Sequence, residues 1–381
     1  MVTPTYFPII GGTEEVIYNL TKTLTEMGHS VTLIAPDFGG TSQTRVEHLY
    51  GSELRFPFIE TKGLMLATQN SSCFRTAIRA HRRENFEVIH QFHVVPLGIA
   101  CLSLRRILHK PLVTSLMGWD TYDPDPNAFY RVSRPIASMV MNSSDTVTSP
   151  SNDVAQRAHA SGCWRNIDVI PHGVDPDHFD AGTLKKGSND LRERLGFHSD
   201  EIMILSVNRL VERKDVGTMI EAAPRILRKC AKTKFVVVGE GPEQDSLLRA
   251  SRERGVPSSF KFVGRVPARE MPFYYVAADI FVMTSTYEHF GVAVLEAMAA
   301  QKPVIASDVG ALPEIVLDNR TGLLFRPRDS AQLADLVITL IQDEPRRREM
   351  GAVGRERVKA LYSWRKIARL YSDIYERLPE L

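Results

Sequence analysis

Residues 279–296 read DIFVMTSTYEHFGVAVLE, an apolar run joined through a polar loop to a second, helix-like apolar run. The first part is rich in Ile, Val and Phe and predicts a buried strand, and the second has the composition of a helix that begins near Gly291. Two carboxylates, Glu288 and Glu296, stand in this apolar neighbourhood, where an unpartnered charge is costly. The segment therefore predicts one strand–helix unit of a parallel α/β sheet, with acids placed at its ligand-binding edge.

The same alternation of short apolar runs with longer helical segments extends along the whole chain and predicts parallel sheets covered by helices. The predicted strands of the first half are HSVTLIAP, FEVIHQF, PLVTSL, DTVTSP and NIDVIP, and those of the second half are EIMILSVN, KFVVVGE, FKFVG, DIFVMTS, PVIAS and GLLF. The polar segment from Asp175 to about Asp200 is interpreted as a domain junction rather than an element. The fold class is therefore α/β, with two doubly wound domains.

Composition limits the classes of function. The chain has 381 residues, 43% of them hydrophobic, and a net charge of +2, which disfavours a nucleic-acid role because polyanion binding usually needs a strongly basic surface. The cysteines Cys73, Cys101, Cys163 and Cys230 show no metal-binding spacing and are interpreted as structural thiols. Without a recognisable leader or membrane span, the expected location is the cytoplasm. Only MVTPTYFPIIGG precedes the first helix, so we expect a few further apolar residues upstream of Met1.

Two loops carry residues suited to phosphate. Gly11 and Gly12 stand just before the first predicted helix, where bare backbone can approach an anion, although a GG pair is also common in plain turns. Arg209 and Lys214, in SVNRLVERKD, leave the carboxyl end of the first strand of the second half. Two fixed cations suit a diphosphate, and the alternative is a solvated surface loop.

The order of several motifs along the chain resembles that of the retaining glycosyltransferases of family 4, which have the GT-B fold. These motifs are GG, PHGVD, NRLVERKD, VVVGEGP, FVGRV, E-x7-E and KPVIASDVGALPEIV. The resemblance covers nearly the whole chain and is more specific in the second half. It implies two Rossmann-like domains facing a cleft, with the nucleotide-sugar donor bound mostly by the second domain and the acceptor by the first. The implied boundaries are residues 1–172, joined by a returning C-terminal helix at 360–381, and residues 173–359.

The resemblance also implies roles for individual residues. Arg209, Lys214 and Glu288 would be the catalytic residues: the two cations neutralise the donor diphosphate and the acid contacts the transferred sugar. Glu296 would hold the ribose of the donor. The remaining donor-binding residues implied in this way are Gly11, Gly12, Arg265, His289, Phe290, Gly291 and Val292.

Some positions depart from the family pattern. Met117 stands where a histidine near the reacting sugar is common, which leaves Gly118 and Asp120 as candidates for contact with the sugar or acceptor. Thr284 replaces a frequent proline. His289 replaces a commoner glycine and favours GDP-mannose slightly over UDP-glucose or UDP-N-acetylglucosamine as the donor.

From this resemblance we expect retaining transfer of a hexose to a glycan, a lipid-linked acceptor or a small-molecule acceptor, without a metal or other cofactor. Two alternatives are a nucleotide-sugar epimerase and a non-catalytic nucleotide-sugar-binding subunit. Basic residues on two predicted helices of the first half favour peripheral contact with an anionic membrane, and a solvated helix face is the alternative. These residues are Arg75, Arg79, Arg82 and Arg83 on one helix, and Arg105, Arg106 and Lys110 on the other. The sequence does not indicate an oligomeric state.

Overall fold

The computed structural model describes residues 1–7, 11–38, 45–48, 51–57, 65–118 and 128–379. The chain divides into two compact units. Unit 1 contains Met1–His172 together with Trp364–Leu381, and unit 2 contains Gly173–Ser363. Among the described residues, no helix combines the length and the apolar character that crossing a bilayer requires.

Unit 1 is an α/β unit with a sheet of short strands. Its strands are β1 (Thr32–Asp37), β2 (Arg45–His48), β3 (Gly51–Pro57), β4 (Ile89–Phe92), β5 (Leu112–Ser115), β6 (Thr146–Ser149) and β7 (Ile167–Val169). Its helices are α1 (Gly12–Glu26), α2 (Met65–Glu84), α3 (Gly98–Leu108), α4 (Ala128–Ser143), α5 (Asn152–Ala160) and the C-terminal helix (Trp364–Glu376).

Two sheet segments of unit 1 are joined by the first residues of the chain. One segment has the order β1-β3-β2 and the other β4-β5-β6-β7. Val2 bridges both, because it pairs in parallel with Ile34 of β1 and with Gln91 of β4. The five strands predicted for this half are present, whereas the hairpin of β2 and β3, which pair antiparallel, was not predicted.

The C-terminal helix belongs to unit 1 and packs against α1, as expected. Tyr371 and Tyr375 on this helix reach His90 of β4, whose Nδ1 lies 2.6 Å from the Tyr375 hydroxyl. The other ring nitrogen of His90 lies 2.7 Å from the hydroxyl of Ser115. Burial holds the pKa of His90 well below its ordinary value, so the ring is neutral in the folded protein.

Unit 2 contains one six-stranded parallel sheet. Its strands are β8 (Ile202–Val207), β9 (Thr233–Val238), β10 (Phe260–Gly264), β11 (Ile280–Met283), β12 (Val304–Ser307) and β13 (Gly322–Phe325). Its helices are α6 (Ala181–Arg194), α7 (Val216–Lys229), α8 (Gln244–Glu253), α9 (Met271–Ala277), α10 (Val292–Ala299), α11 (Leu312–Ile315), α12 (Ser330–Gln342) and α13 (Glu344–Leu361).

The strand order of unit 2 is β10-β9-β8-β11-β12-β13, the doubly wound order of a Rossmann-like domain. Its strands are buried on both faces between two apolar clusters, one containing Leu205 and Phe281 and the other Ile204 and Val282. The order reverses between β8 and β11. Ligands of such sheets bind beyond the carboxyl ends of the strands at this reversal, where the predicted donor residues lie.

Two helices of unit 2 differ from the sequence interpretation. The segment interpreted as a junction forms α6, which Asp180 caps by accepting a hydrogen bond from the Thr183 amide. It packs on α9 through Gly187, where an added Cβ would lie 2.4 Å from the Phe273 ring. The unpredicted α13 approaches α10 at Gly354, where an added Cβ would lie 3.6 Å from Met298, and it buries Val358 in the same apolar cluster.

Candidate functional site

The basic loop of unit 2 begins where β8 ends and runs from Asn208 to Asp215. Its short 3-10 turn, Glu212–Lys214, ends at Asp215 in a left-handed conformation (φ 44°), which redirects the chain into α7. The loop lies directly on the loop after β9. An added Cβ at Gly239 would lie 1.8 Å from the Asn208 carbonyl oxygen, and only glycine permits that approach. The glycines of VVVGEGP thus shape the basic loop.

Lys214 and Glu288 meet across two loops. The Lys214 ammonium donates a hydrogen bond to the Glu288 carboxylate, and the two side chains are only 12% and 10% exposed. Arg209 differs from Lys214, because its guanidinium is exposed and forms no hydrogen bond or ion pair with any described residue. The structure therefore places one cation in a buried pair and leaves the other open to solvent at the end of the same strand.

Electrostatics keep Glu288 ionised. Burial alone would raise its pKa, but the charge of Lys214 and its hydrogen bond, followed by the charges of Arg213 and His289, hold the pKa below its ordinary value. The backbone at this position is also fixed, since the Ala311 amide donates to the Glu288 carbonyl at 3.0 Å. Gly310 makes this contact possible, because an added Cβ there would lie 2.1 Å from the same oxygen.

Two threonines attach the loop after β11 to the basic loop. Thr284 donates from Oγ1 to the Lys214 carbonyl at 2.9 Å, and the Thr286 amide donates to the Arg213 carbonyl at 2.8 Å. Thr284 stands where the family often has proline, and its hydroxyl supplies a contact that proline lacks. This departure therefore reinforces the placement of Lys214.

The turn from His289 to Val292 starts helix α10. Gly291 caps the helix with φ 104°, a conformation that favours glycine, and an added Cβ would lie 2.9 Å from Leu312. Phe290 is buried in the core and packs edge-on to Tyr362. The first backbone amides of α10 therefore come shortly after Glu288, in a turn whose backbone conformation is fixed. A helix N-terminus of this kind favours anions.

Glu296 lies in the second turn of α10 and has a partner that the sequence did not indicate. The Tyr275 hydroxyl donates to Glu296 Oε2 at 2.5 Å from α9, and the tyrosine ring is fully buried. Burial, followed by the neighbouring charge of Glu296, raises the pKa of Tyr275 well above its ordinary value, so it remains a donor. No sequence signal connects these residues, since they lie 21 positions apart on different helices.

The remaining predicted residue of unit 2, Arg265, follows β10 and is exposed. Its backbone amide donates to Glu240 Oε1 at 3.2 Å, which ties it to the loop after β9. Arg265 thus stands at the carboxyl ends of the strands but two strands away from β8, in the order β10-β9-β8.

The candidates in unit 1 form a separate group. Gly11 caps α1 in extended conformation, and an added Cβ there would lie 2.8 Å from the carboxylate of Glu14, whereas Gly12 has open space. A carboxylate beside the proposed phosphate-binding glycines was not anticipated. Gly118 is buried with φ 107°, and Met117 packs in the apolar core of unit 1. Asp120 lies outside the described residues.

The described part of the chain contains no cluster of three or more His, Cys, Asp or Glu side chains arranged to hold a metal ion. The four cysteines are free thiols, and three of them are buried, as interpreted from the sequence.

Comparison with known proteins assigns both units. Residues 10–178 match the model of Glycosyltransferase Family 4, and residues 188–357 match that of Glycosyl transferases group 1. A relative from Mycobacterium tuberculosis, GDP-mannose-dependent alpha-(1-6)-phosphatidylinositol monomannoside mannosyltransferase, is 34% identical over 250 residues, which are 64% of this chain and 64% of the relative. The match thus spans less than two thirds of that relative's length.

Solved structures share the fold. Sucrose-phosphate synthase from Thermosynechococcus elongatus superposes with a TM-score of 0.84 at 23% identity, over 99% of this chain and 98% of that chain. HepE from Anabaena, in complex with UDP-glucose, gives a TM-score of 0.80 at 19% identity, over 99% of each chain. The chain belongs to the family 4 glycosyltransferases, enzymes of the GT-B fold.

Proposed function

We propose that this protein transfers a hexose from a nucleoside-diphosphate sugar to an acceptor, with retention of the anomeric configuration. The observation that carries the proposal is the buried Lys214–Glu288 pair beside the open guanidinium of Arg209, at the point where the strand order of unit 2 reverses. A diphosphate bound there would meet the positive charges of Arg209 and Lys214 at the end of β8. It would also meet the first backbone amides of α10. This is the arrangement that stabilises a departing diphosphate.

In the proposed reaction the bond between the sugar and the diphosphate breaks, and negative charge develops on the departing oxygen. Arg209 and Lys214 stabilise that charge as it forms, an electrostatic effect typically worth about 3 kcal/mol for each donor. Glu288 has two roles. Its carboxylate holds the Lys214 ammonium in place, and its position beside the start of α10 lets it orient the transferred sugar. The acceptor hydroxyl attacks from the face that the diphosphate leaves, forms the new bond to the sugar, and gives its proton to the departing diphosphate oxygen.

Glu296 holds the ribose of the donor in this proposal. A carboxylate can accept two hydrogen bonds from a vicinal diol, and Tyr275 fixes its orientation through one oxygen. Arg265 lies beyond β10 and would contact the nucleobase.

The donor is proposed to be GDP-mannose. The resemblance at His289 favours it, and the name of the Mycobacterium tuberculosis relative includes the same donor. UDP-glucose is the competing donor, because it occupies the HepE structure of the same fold. The two donors differ in both base and sugar, so direct competition separates them.

A lipid-linked acceptor at an anionic membrane is proposed for unit 1. The arginines of α2, Arg75, Arg79, Arg82 and Arg83, are exposed, as contact with lipid headgroups requires. Arg105 on α3 is engaged elsewhere, since its guanidinium pairs with Asp145 at 2.6 Å. Flotation with anionic and with neutral liposomes tests this proposal, and equal recovery from both would contradict it.

The experiment that tests the function is a thermal-shift panel of GDP, UDP, GDP-mannose and UDP-glucose, followed by transfer assays with the stabilising donor. A ligand that binds only the folded state raises the midpoint of unfolding, and GDP with GDP-mannose should do so most. NMR of the product should then show the anomeric configuration of the donor. Isomerisation of the donor without an acceptor would instead establish an epimerase. Donor binding without transfer or hydrolysis would indicate a binding subunit.

A further inference from the structure

The most exposed large apolar side chain among the described residues of unit 1 belongs to Trp164. Trp164 is 73% exposed and stands between α5 and β7. It borders an open groove of about 490 Å³ at the amino ends of β6 and β7. Gly118, by contrast, follows the carboxyl end of β5 in the same parallel sheet. The groove therefore lies at the opposite edge of the sheet.

The backbone that carries Trp164 is held in place. Its amide donates to Asn142 Oδ1 at 2.9 Å, and Asn142 also donates from Nδ2 to the Gly162 carbonyl at 2.8 Å. Ser138 Oγ donates to the same carbonyl at 2.9 Å. Helix α4 thus anchors the loop through polar contacts, while the indole contributes little to the core. The indole therefore projects from a fixed backbone and offers an apolar ring at the surface.

The groove beside the indole contains open polar groups. The amide of Asn166 and the hydroxyl of Thr146 line it, and neither side chain forms a hydrogen bond with any described residue. An amide offers both a donor and an acceptor, and a hydroxyl offers the same pair. Such groups can donate to and accept from the hydroxyls of a pyranose ring.

The charged groups of the groove are occupied. Arg377 pairs with Asp168 at 2.7 Å, and Asp145 pairs with Arg105. Arg165 donates to the Asp145 carbonyl at 2.9 Å and places its guanidinium 5.9 Å from the indole centroid, which covers one face of the ring. Because each guanidinium already has a partner, the groove favours a neutral ligand over a phosphate or an anionic surface.

From these contacts we infer that the groove formed by Trp164, Asn166 and Thr146 binds a neutral hexose residue of a glycan chain. The free face of the indole packs against the apolar C–H face of the sugar, and the amide and hydroxyl meet its rim. The site adds a second sugar contact to unit 1, separate from the reaction proposed above. It would keep a glycan attached to the protein between encounters with the donor site.

Affinity electrophoresis in native gels tests this inference. Gels contain either no polysaccharide, neutral yeast mannan, neutral glycogen or anionic heparin. We expect the wild-type protein to be retarded by mannan or glycogen, and Trp164→Ala to lose most of that retardation. Asn166→Ala should lose part of it. Ile107→Ala is the matched control, because Ile107 is also an exposed apolar side chain of unit 1 (59%) and should leave the mobility unchanged.

Trp164→Ala should fold normally, since the loop is anchored by its backbone, and an unchanged midpoint of thermal unfolding verifies this. Wild-type mobility unaffected by both neutral polysaccharides would overturn the inference, as would undiminished retardation of Trp164→Ala. Retardation by heparin alone would assign the groove to anions instead. A change from dimer to monomer in light scattering, without glycan binding, would assign Trp164 to a protein contact. Nucleotide binding tests the proposed transferase independently of all these outcomes.

Discussion

The ammonium of Lys214 and the carboxylate of Glu288 form a largely buried ion pair that joins the loop after β8 to the loop after β11. These strands are neighbours at the reversal of the sheet, so the pair serves both structure and proposed catalysis. Removing one member of a buried pair leaves the other charge unpaired, which commonly costs about 3–5 kcal/mol. The two roles can therefore be separated by substitution.

We predict that Lys214→Met lowers both activity and stability, whereas Lys214→Met combined with Glu288→Gln recovers most of the stability but no activity. The double variant is neutral at both positions, so no buried charge lacks a partner. Denaturant titration and an initial-rate assay measure the two effects. Recovery of activity in the double variant would show that the pair is structural only.

Arg209→Ala should have a different outcome. The guanidinium has no partner among the described residues, so the free energy of unfolding should change by less than about 0.5 kcal/mol. Turnover should fall roughly 100-fold or more, because one fixed cation no longer faces the departing diphosphate. Arg252→Ala is the matched control, an exposed arginine on α8 outside the site. Similar turnover in the two variants would remove Arg209 from the mechanism.

Tyr275→Phe should raise the KM for the donor about fivefold to tenfold and change kcat little. Phenylalanine fills the same buried space but no longer donates to Glu296, so the carboxylate that meets the ribose loses its fixed orientation. The effect should shrink when a 2′-deoxyribose donor replaces the ribose donor. Equal KM ratios for the two donors would mean that Tyr275 does not act through the contact between Glu296 and the ribose.

Stability should fall as the pH drops below about 6.5. His90 is buried and neutral, with a pKa well below its ordinary value, while in the unfolded chain it titrates near 6.5. The unfolded state therefore binds more protons in this range, and the free energy of unfolding falls by up to about 1.4 kcal/mol per pH unit. Burial also lowers the pKa of His172 to about 3, which adds to the same trend.

The measurement is denaturant unfolding between pH 7.5 and pH 5, with His90→Gln as the comparison. Glutamine does not titrate, so the variant should show a shallower dependence on pH, with the remaining slope due to His172 and other groups. Parallel curves for the variant and the wild type would contradict the burial of a neutral His90.

Activity should persist in excess EDTA. In the proposed mechanism Arg209 and Lys214 supply the positive charge that neutralises the diphosphate, so we expect no requirement for a divalent ion. Initial rates with and without chelator should agree within experimental scatter. A loss that added Mg²⁺ or Mn²⁺ restores would contradict this prediction.

The sequence predicted the parallel strands well because each is a short run of Val, Ile and Leu between turn residues. It did not predict α6 or α13, which bury only a few apolar side chains, such as Leu191 and Val358, and also make close contacts at Gly187 and Gly354. It also missed the hairpin of β2 and β3. In each case the stabilising contact is tertiary, and local composition does not record it.

The same limit applies to the site. Motif order placed Arg209, Lys214 and Glu288 at one sheet edge, because carboxyl ends of parallel strands lie together. The hydrogen bonds that hold the residues of the site in place were not predictable. Tyr275 donates to Glu296 from another helix, and Thr284 donates to the Lys214 carbonyl from another strand. Glu14, beside Gly11, was likewise unexpected. Such contacts depend on side-chain positions that spacing alone does not give.

The proposed function requires that the loop after β8 holds the diphosphate of the donor. Isothermal titration of GDP and UDP into the wild type, Arg209→Ala and Arg252→Ala measures this directly. We expect at least one nucleotide to bind the wild type and to bind Arg252→Ala equally well. Its affinity for Arg209→Ala should be about tenfold lower or more. Equal affinity in all three proteins would contradict it.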